Sequence, residues 1–148
     1  MNHRASVLIA LLLAACASVP RPEASEYIKT LGGGVLTDMN KHPGEAYVGV
    51  NFAWVKAPPA QAVLVAEFTN DRRPARLTTE VPVAPIDKTF VLKSPLFGCV
   101  VNNSQYIVTI TLFADQTKST VLGTHRQAVG FAATPNIIQQ MKLRQCDA

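Results

Sequence analysis

The strongest constraint on the fold is a two-residue hydrophobic repeat that recurs from residue 46 onward. In residues 105–114 (QYIVTITLFA) every second position is apolar, and residues 47–54 (YVGVNFAW) show the same repeat. A repeat of two places alternate side chains on opposite faces of a strand, so one face is buried and the other meets water. Trp54 and Phe52 fall on the inward face and are predicted to belong to the core.

Short segments of this kind are separated by turn-forming residues throughout the rest of the chain. The predicted strands cover residues 47–54, 62–68, 76–83, 89–93, 96–101, 105–114 and 120–131, a total of six or seven. Short polar turns favour antiparallel pairing, and we predict an all-β chain folded as an antiparallel β-sandwich, either immunoglobulin-like or transthyretin-like. Residues 62–68 are apolar almost throughout and are expected to be central, whereas Pro82 places its strand at an edge or a bulge.

The C-terminal tail departs from this pattern. Thr134-Pro135 pairs a helix-capping residue with a proline suited to the first helical position. The tail therefore fits either an extended end or a short helix that covers one end of the sandwich.

The N-terminus has the organisation of an export signal. Arg4 gives the first residues a positive charge, and residues 5–15 (ASVLIALLLAA) are uncharged and apolar. Eleven residues are too few to span a bilayer core, which takes about 20, but they suit the apolar region of a signal peptide.

The end of this apolar run, Leu13-Ala14-Ala15-Cys16, resembles the lipobox of bacterial lipoproteins. The resemblance implies that the Cys16 thiol receives a diacylglycerol and that signal peptidase II cuts the Ala15–Cys16 bond. Two acyl chains bind a membrane stably where one binds only marginally, so the protein would be lipid-anchored. In the family, an aspartate after the cysteine favours the inner membrane; Ala17 and Ser18 follow here, which favours the outer membrane and leaves the inner one open.

These features divide the chain into three parts: a signal peptide over 1–15, the lipidated Cys16 with a flexible tether over 16–45, and a β-sandwich domain over 46–148. The tether is predicted from two prolines near residue 20 and from Gly32-Gly33-Gly34. The turn at Lys41-His42-Pro43-Gly44 marks the predicted start of the domain.

Cys99 and Cys146 are the cysteines that remain once Cys16 carries lipid. In an oxidising compartment two remaining thiols predict one disulfide, which would tie the sandwich to the tail. The alternative is two free cysteines, one of them buried as a small apolar residue.

The sequence offers no recognisable catalytic, metal or cofactor motif. No serine lies in a nucleophile elbow, and the histidines left after signal removal, His42 and His125, lack the spacing of zinc ligands and are predicted to face solvent. A net charge of +4 is too small and too dispersed for a nucleic-acid surface. A non-enzymatic protein is therefore expected, although dispersed residues can still assemble a site.

Arg72, Arg73 and Arg76 form the densest basic cluster, at a predicted hairpin tip. They are candidates for contact with a partner protein or an anionic ligand, and the alternative is an ordinary solvated loop. The leading hypothesis is an envelope lipoprotein whose sandwich binds another envelope protein, and the second is a module that binds glycan or lipid. Exposed aromatic side chains on a sheet face would favour glycan, and a bare apolar sheet edge would favour a protein partner.

Overall fold

The computed structural model describes residues 25–82 and 88–146 of the chain. In these two ranges the chain forms seven strands and one short helix. Their bounds are β1 Ile28–Thr37, β2 Ala46–Trp54, β3 Val63–Asn70, β4 Arg73–Pro82, β5 Thr89–Lys93, β6 Ser104–Phe113, β7 Val121–Phe131 and α1 Pro135–Gln140.

The strands form two antiparallel sheets, one in the order β1-β2-β5 and the other in the order β4-β3-β6-β7. Three hairpins pair consecutive strands: β1-β2, β3-β4 and β6-β7. Two further pairs, β2·β5 and β3·β6, join strands that are not consecutive in the chain. Such connections between two sheets are those of a Greek-key sandwich. The predicted all-β sandwich is confirmed, as are the central place of β3 and the edge position of the strand that contains Pro82.

Side chains at alternate positions of β2 and β6 fill the space between the sheets. Val48, Val50 and Phe52 are fully buried on β2, and Val108 and Ile110 are fully buried opposite them on β6. The inward faces predicted from the two-residue repeat are therefore confirmed. Trp54, at the end of β2, is only half-buried; its ring lies 4.7 Å from that of Phe90 at the margin of the core.

Tyr106, near the start of β6, ties its strand to the preceding loop. Its hydroxyl oxygen accepts a hydrogen bond of 3.2 Å from the Val101 backbone N–H, five residues upstream. A tyrosine in this place and with this contact is the tyrosine corner of immunoglobulin-like sandwiches. Together with the sheet order, it favours the immunoglobulin-like form of the predicted sandwich.

The structure corrects the predicted tether. Residues 28–37 lie within the segment 16–45 and form β1, which pairs along β2 from Ile28↔Trp54 to Thr37↔Ala46. Ile28 is only 3% exposed and belongs to the core. The sandwich therefore includes residues well before position 46, and the residues of the predicted signal peptide, Cys16 and residues 17–24 lie outside the described part of the chain.

The predicted strand over 96–101 is wrong. Pro95 follows β5, and the segment makes only two isolated bridges, from Phe97 to Ala46 and from Val100 to Gln145. The total of seven strands agrees with the prediction because β1 takes the place of this segment. The short helix is confirmed: the Thr134 side chain accepts from the Ile137 backbone N–H, and Pro135 opens the helix.

Candidate functional site

A cavity of about 130 Å³ opens at the end of the sandwich where β3 ends and β6 begins. The buried side chains of Phe68 and Tyr106 lie on its inner side, and the half-buried Leu77 of β4 closes another. Arg73 and Ala75 are exposed where the cavity meets solvent. The lining is mostly apolar with a few polar groups, which is the usual composition of a binding pocket.

The segment after β5 supplies the wall of the pocket that faces the three-stranded sheet. Phe97 exchanges two backbone hydrogen bonds with Ala46, of 2.8 and 2.9 Å, which hold it against the start of β2. Its ring stacks on Tyr106 with the ring centres 5.6 Å apart. Because the backbone and the ring of Phe97 are both held, this wall has a fixed position.

The disulfide forms the neighbouring wall. Cys99 and Cys146 are bonded, as predicted, and both line the pocket. Val100, beside Cys99, donates to the Arg144 carbonyl at 2.8 Å and accepts from the Cys146 N–H at 2.9 Å. The 47-residue separation of the two cysteines gives a loop-closure stabilisation of roughly 4 kcal/mol in the chain-entropy model.

Arg73 brings positive charge to the mouth of the pocket. Its Nη1 donates to Cys99 Sγ at 3.6 Å, which places the guanidinium beside the disulfide. Deeper in the pocket, burial raises the pKa of the Tyr106 phenol, although the hydrogen bond from Val101 and the charge of Arg73 act in the opposite direction. The phenol therefore stays neutral at physiological pH and serves as a hydrogen-bond acceptor and an apolar surface.

The strand β4 divides the predicted arginine cluster. Arg73, Ala75 and Leu77 lie on the face that lines the pocket, whereas Arg76 lies on the opposite face, with its Nη1 3.5 Å from Glu67 Oε1. Arg72 is exposed in the turn before β4, where its backbone N–H donates to the Asn70 side chain at 2.9 Å. Of the three predicted contact residues, Arg73 is the one that the structure places in the pocket.

The two histidines have different environments. His42 faces solvent as predicted, with Nδ1 3.4 Å from Glu45 Oε2. The same prediction is wrong for His125, which is 4% exposed, because its position on β7 points into the sandwich. Its Nε2 shares a 2.7 Å hydrogen bond with Thr30 Oγ1, and its ring meets that of Phe52 edge-on. His125 thus joins β7 of one sheet to β1 of the other.

A shallow polar depression lies at the opposite end of the sandwich, between residues 60–61 and 115–117. The Asp115 carboxylate accepts from both the hydroxyl and the backbone N–H of Thr117, and the hydroxyl bond is the main reason that the pKa of Asp115 is lowered. A carboxylate held ionised by its own turn stabilises that turn. It is poorly suited to donate a proton.

The large apolar side chains exposed in the described residues are all aliphatic, and half of them lie on edge strands. Leu31 and Leu36 are on β1, Val91 is on β5 and Val121 is on β7. The remaining four are Met39, Val55, Leu96 and Ile137. By the criterion set from the sequence, exposed aliphatic edges favour a protein partner over glycan.

The sequence did not predict the pocket, because its residues come from five separated parts of the chain. The one sequence signal that brings two of these parts together is the pairing of Cys99 with Cys146. In residues 25–82 and 88–146, no three His, Cys, Asp or Glu side chains are grouped so that they could hold a metal ion. In the same ranges, no helix has the length and apolar character needed to cross a bilayer.

Comparison with known proteins assigns no family. No protein-family model matches the sequence, and no curated protein matches it significantly. Among solved structures, the chain is similar to the fn3 domain of the human collagen alpha-1(XX) chain, with 15% identity and a TM-score of 0.43 over 80% of this chain and 91% of that chain. A similarity at this level assigns no function.

Proposed function

We propose that this chain is a cell-envelope lipoprotein whose sandwich binds another envelope protein without catalysing a reaction. The lipid on Cys16 would hold the domain at a membrane, and the pocket beside the disulfide would contact the partner. The outer membrane is the favoured location, because Ala17 and Ser18 follow the cysteine. The inner membrane is the alternative location.

The pocket is the observation that carries the binding function. A cavity of about 130 Å³ is far smaller than the roughly 300–1,000 Å³ of sites for drug-sized ligands. It suits one side chain, and protein interfaces are commonly centred on a few side chains that fill such pockets. It is also too small for an acyl chain, so the lipid-binding alternative has no support from the cavity.

Site-specific photocrosslinking in intact cells tests the binding function. A photoreactive amino acid replaces Ala75, exposed at the mouth of the pocket, or Gln116, exposed at the other end of the sandwich. We expect a discrete crosslinked product from position 75 and none from position 116. Equal products from both positions would contradict binding through the pocket.

The lipid anchor has its own test. Cys16→Ser should abolish labelling by radioactive palmitate and leave a precursor that still carries residues 1–15, because the modified thiol and the cleavage site are both lost. The matched control is Cys99→Ser, which changes a cysteine outside the lipobox. Palmitate incorporation that survives in Cys16→Ser would show that the anchor is assigned to the wrong residue.

A further inference from the structure

We propose that the end of the sandwich at which β1 begins docks on the lipid surface, with residues 55–61 (VKAPPAQ), the docking loop, at the boundary between headgroups and acyl chains. The inference rests on the proposed lipid anchor at Cys16 and adds an orientation to it. The pocket, at the other end of the sandwich, then points away from the membrane.

The connection between the anchor and the sandwich is short. The sequence predicted a tether up to residue 45, but β1 begins at Ile28 and only eight residues lie between Cys16 and Ser25. An extended chain from Cys16 to Ser25 spans at most about 30 Å. Because Ser25 lies against Gly123, near the start of β7, this end of the sandwich stays nearest to the anchored lipid. Its contact with the membrane is then an intramolecular step, for which a small apolar area suffices.

The docking loop lies at this end because it connects the end of β2 to the start of β3. The Val55 backbone N–H donates to the Tyr27 carbonyl at 2.8 Å, which ties the loop to the residues just before β1. Val55 is 64% exposed, the highest value among the large apolar side chains of the described residues. Ala57, Pro59 and Ala60 are also exposed, so the loop presents apolar surface whose transfer from water to the lipid boundary is favourable.

The backbone of the docking loop has few polar groups to desolvate. Backbone N–H groups without partners are costly in an apolar medium and keep most loops out of lipid. Pro58 and Pro59 carry no backbone N–H, and the Ala62 N–H donates to the Pro59 carbonyl at 3.0 Å. With the Val55 N–H also bonded, the loop can enter the lipid boundary at a low cost.

The side chains beside the docking loop suit a membrane interface. The loop contains no carboxylate, and the neighbouring Glu26 is paired with Lys56, which also lies 4.9 Å from the centre of the Tyr27 ring. Tyr27 and Trp54 are half-buried, and rings of these two types are favoured where apolar and polar surroundings meet. The polar turn at residues 115–117, which borders the loop, would face the headgroups.

Paramagnetic broadening of amide signals tests the docking. The mature lipidated protein, purified from cells, is placed in phosphatidylcholine nanodiscs with or without a nitroxide on a small fraction of the headgroups. We expect strong broadening at residues 26–28 and 55–57 and little at residues 101–104, which lie about 30 Å away at the other end of β6. Equal broadening at both ends, or stronger broadening at residues 101–104, would overturn the inference.

Two valine variants provide the matched comparison. Val55→Asp should shift the equilibrium about tenfold from the docked to the undocked orientation, because the valine side chain is no longer transferred from water. Most of the broadening at residues 26–28 should then be lost. Val91→Asp makes the same change at a similarly exposed valine in the middle of β5 and should leave the broadening as it is. With unchanged shifts in β6 and β7 to verify folding, equal loss in both variants or no loss in Val55→Asp would contradict docking through the loop.

Flotation with phosphatidylcholine vesicles separates this result from the test of the proposed function. Protein that floats with the vesicles but is broadened equally at both ends would keep the anchor and overturn the docking. Protein that does not float would contradict the anchor and, with it, the docking. The expected broadening without crosslinks from position 75 would support the orientation and contradict the proposed binding of an envelope protein.

Discussion

The strands β1 and β6 are each ten residues long, yet they are held in the fold in different ways. β6 lies between β3 and β7 and presents four buried side chains to the core at alternate positions. β1 is an edge strand that pairs with β2, contains three consecutive glycines, and buries Ile28 near its start. The pattern of β6 specifies a strand by itself, whereas β1 depends on the surface that receives it.

The glycines of β1 serve close packing. A Cβ on Gly33 would lie 2.9 Å from the Gly49 carbonyl oxygen, closer than real Cβ atoms approach, and 3.0 Å from Val50 Cγ2, which is tighter than most real contacts. Gly32 has a φ of +155° beside the irregularity at which the register with β2 shifts. These are requirements of the tertiary structure, and in the sequence they have the same appearance as a flexible linker.

The largest expected effect tests the burial of β6. Ile110→Asp places an unpaired charge in the core and should unfold the domain, because the cost of several kcal/mol consumes much of a stability of about 5–15 kcal/mol. Thr109→Asp should cost less than about 1 kcal/mol, since Thr109 is only half-buried. The new carboxylate would be repelled by Glu67 on one neighbouring strand and attracted by Arg126 on the other, so the two charges offset each other. Circular dichroism during urea unfolding measures both, and equal damage would mean that β6 is buried on both faces.

The next effect tests whether β1 is part of the fold. Ile28→Ala should lower the free energy of unfolding by about 2–4 kcal/mol, because it removes a buried side chain from the core. Lys29→Ala, at the adjacent exposed position, should change it by less than about 0.5 kcal/mol. If the two variants unfolded at the same urea concentration, residues 28–29 would behave as the tether that the sequence predicted.

A smaller effect separates packing from flexibility among the glycines. Gly33→Ala should destabilise the domain by about 1–3 kcal/mol, because the new methyl group must displace backbone of β2. Gly34→Ala meets only Leu36 Cδ2 at 4.0 Å and should be neutral or stabilising by up to about 1 kcal/mol. Thermal melting of both variants decides the question, and a stabilised Gly33→Ala would contradict the close approach.

The comparison also explains which parts of the molecule could be predicted from the sequence. Local periodicity predicted β2 and β6, because the inward residues of these strands recur at every second position, and an almost continuous apolar run predicted β3. It did not predict β1, whose glycines are explained by Gly49 and Val50 on the neighbouring strand, or the inward position of His125. The pocket depends on the same long-range contacts, and the disulfide was the one long-range feature that could be predicted from residue counting.

Loss of the hydrogen bond that joins β1 to β7 should lower the stability about as much as Gly33→Ala does. Thr30→Val keeps the shape of the side chain but removes the hydroxyl that bonds His125 Nε2, at a cost of about 1–2 kcal/mol for a buried polar contact. Thr78→Val, on the exposed face of β4, is the matched control and should cost less than about 0.5 kcal/mol. Hydrogen exchange of the β1 amides should speed up in Thr30→Val and not in Thr78→Val; unchanged exchange in both would mean that this bond does not hold β1.

The smallest effect concerns the corresponding bond of β6, between Tyr106 and Val101. Tyr106→Phe should cost about 1 kcal/mol at neutral pH, because the ring stays while the acceptor for the Val101 N–H is lost. The hydroxyl also gives the stability a pH dependence, which comes from the burial of the phenol, because the bond from Val101 acts to lower the pKa. Burial raises the pKa of Tyr106 in the folded protein. The stabilisation that the neutral phenol contributes is therefore fully present below the pKa of about 10 in the unfolded chain, and it is lost as pH rises through the pKa in the folded protein. Above pH 10 the unfolded state releases this proton more readily than the folded state, so the free energy of unfolding decreases.

The urea midpoint of the unmodified protein should therefore fall more steeply between pH 9 and pH 11 than that of Tyr106→Phe. All other side chains are the same in both proteins, so the difference between the two curves isolates Tyr106. The β1 variant Thr30→Val keeps Tyr106 and should follow the slope of the unmodified protein at a lower midpoint. Parallel curves for the unmodified protein and Tyr106→Phe would show that the phenol titrates as it does in the unfolded chain, and would contradict a pKa raised by burial.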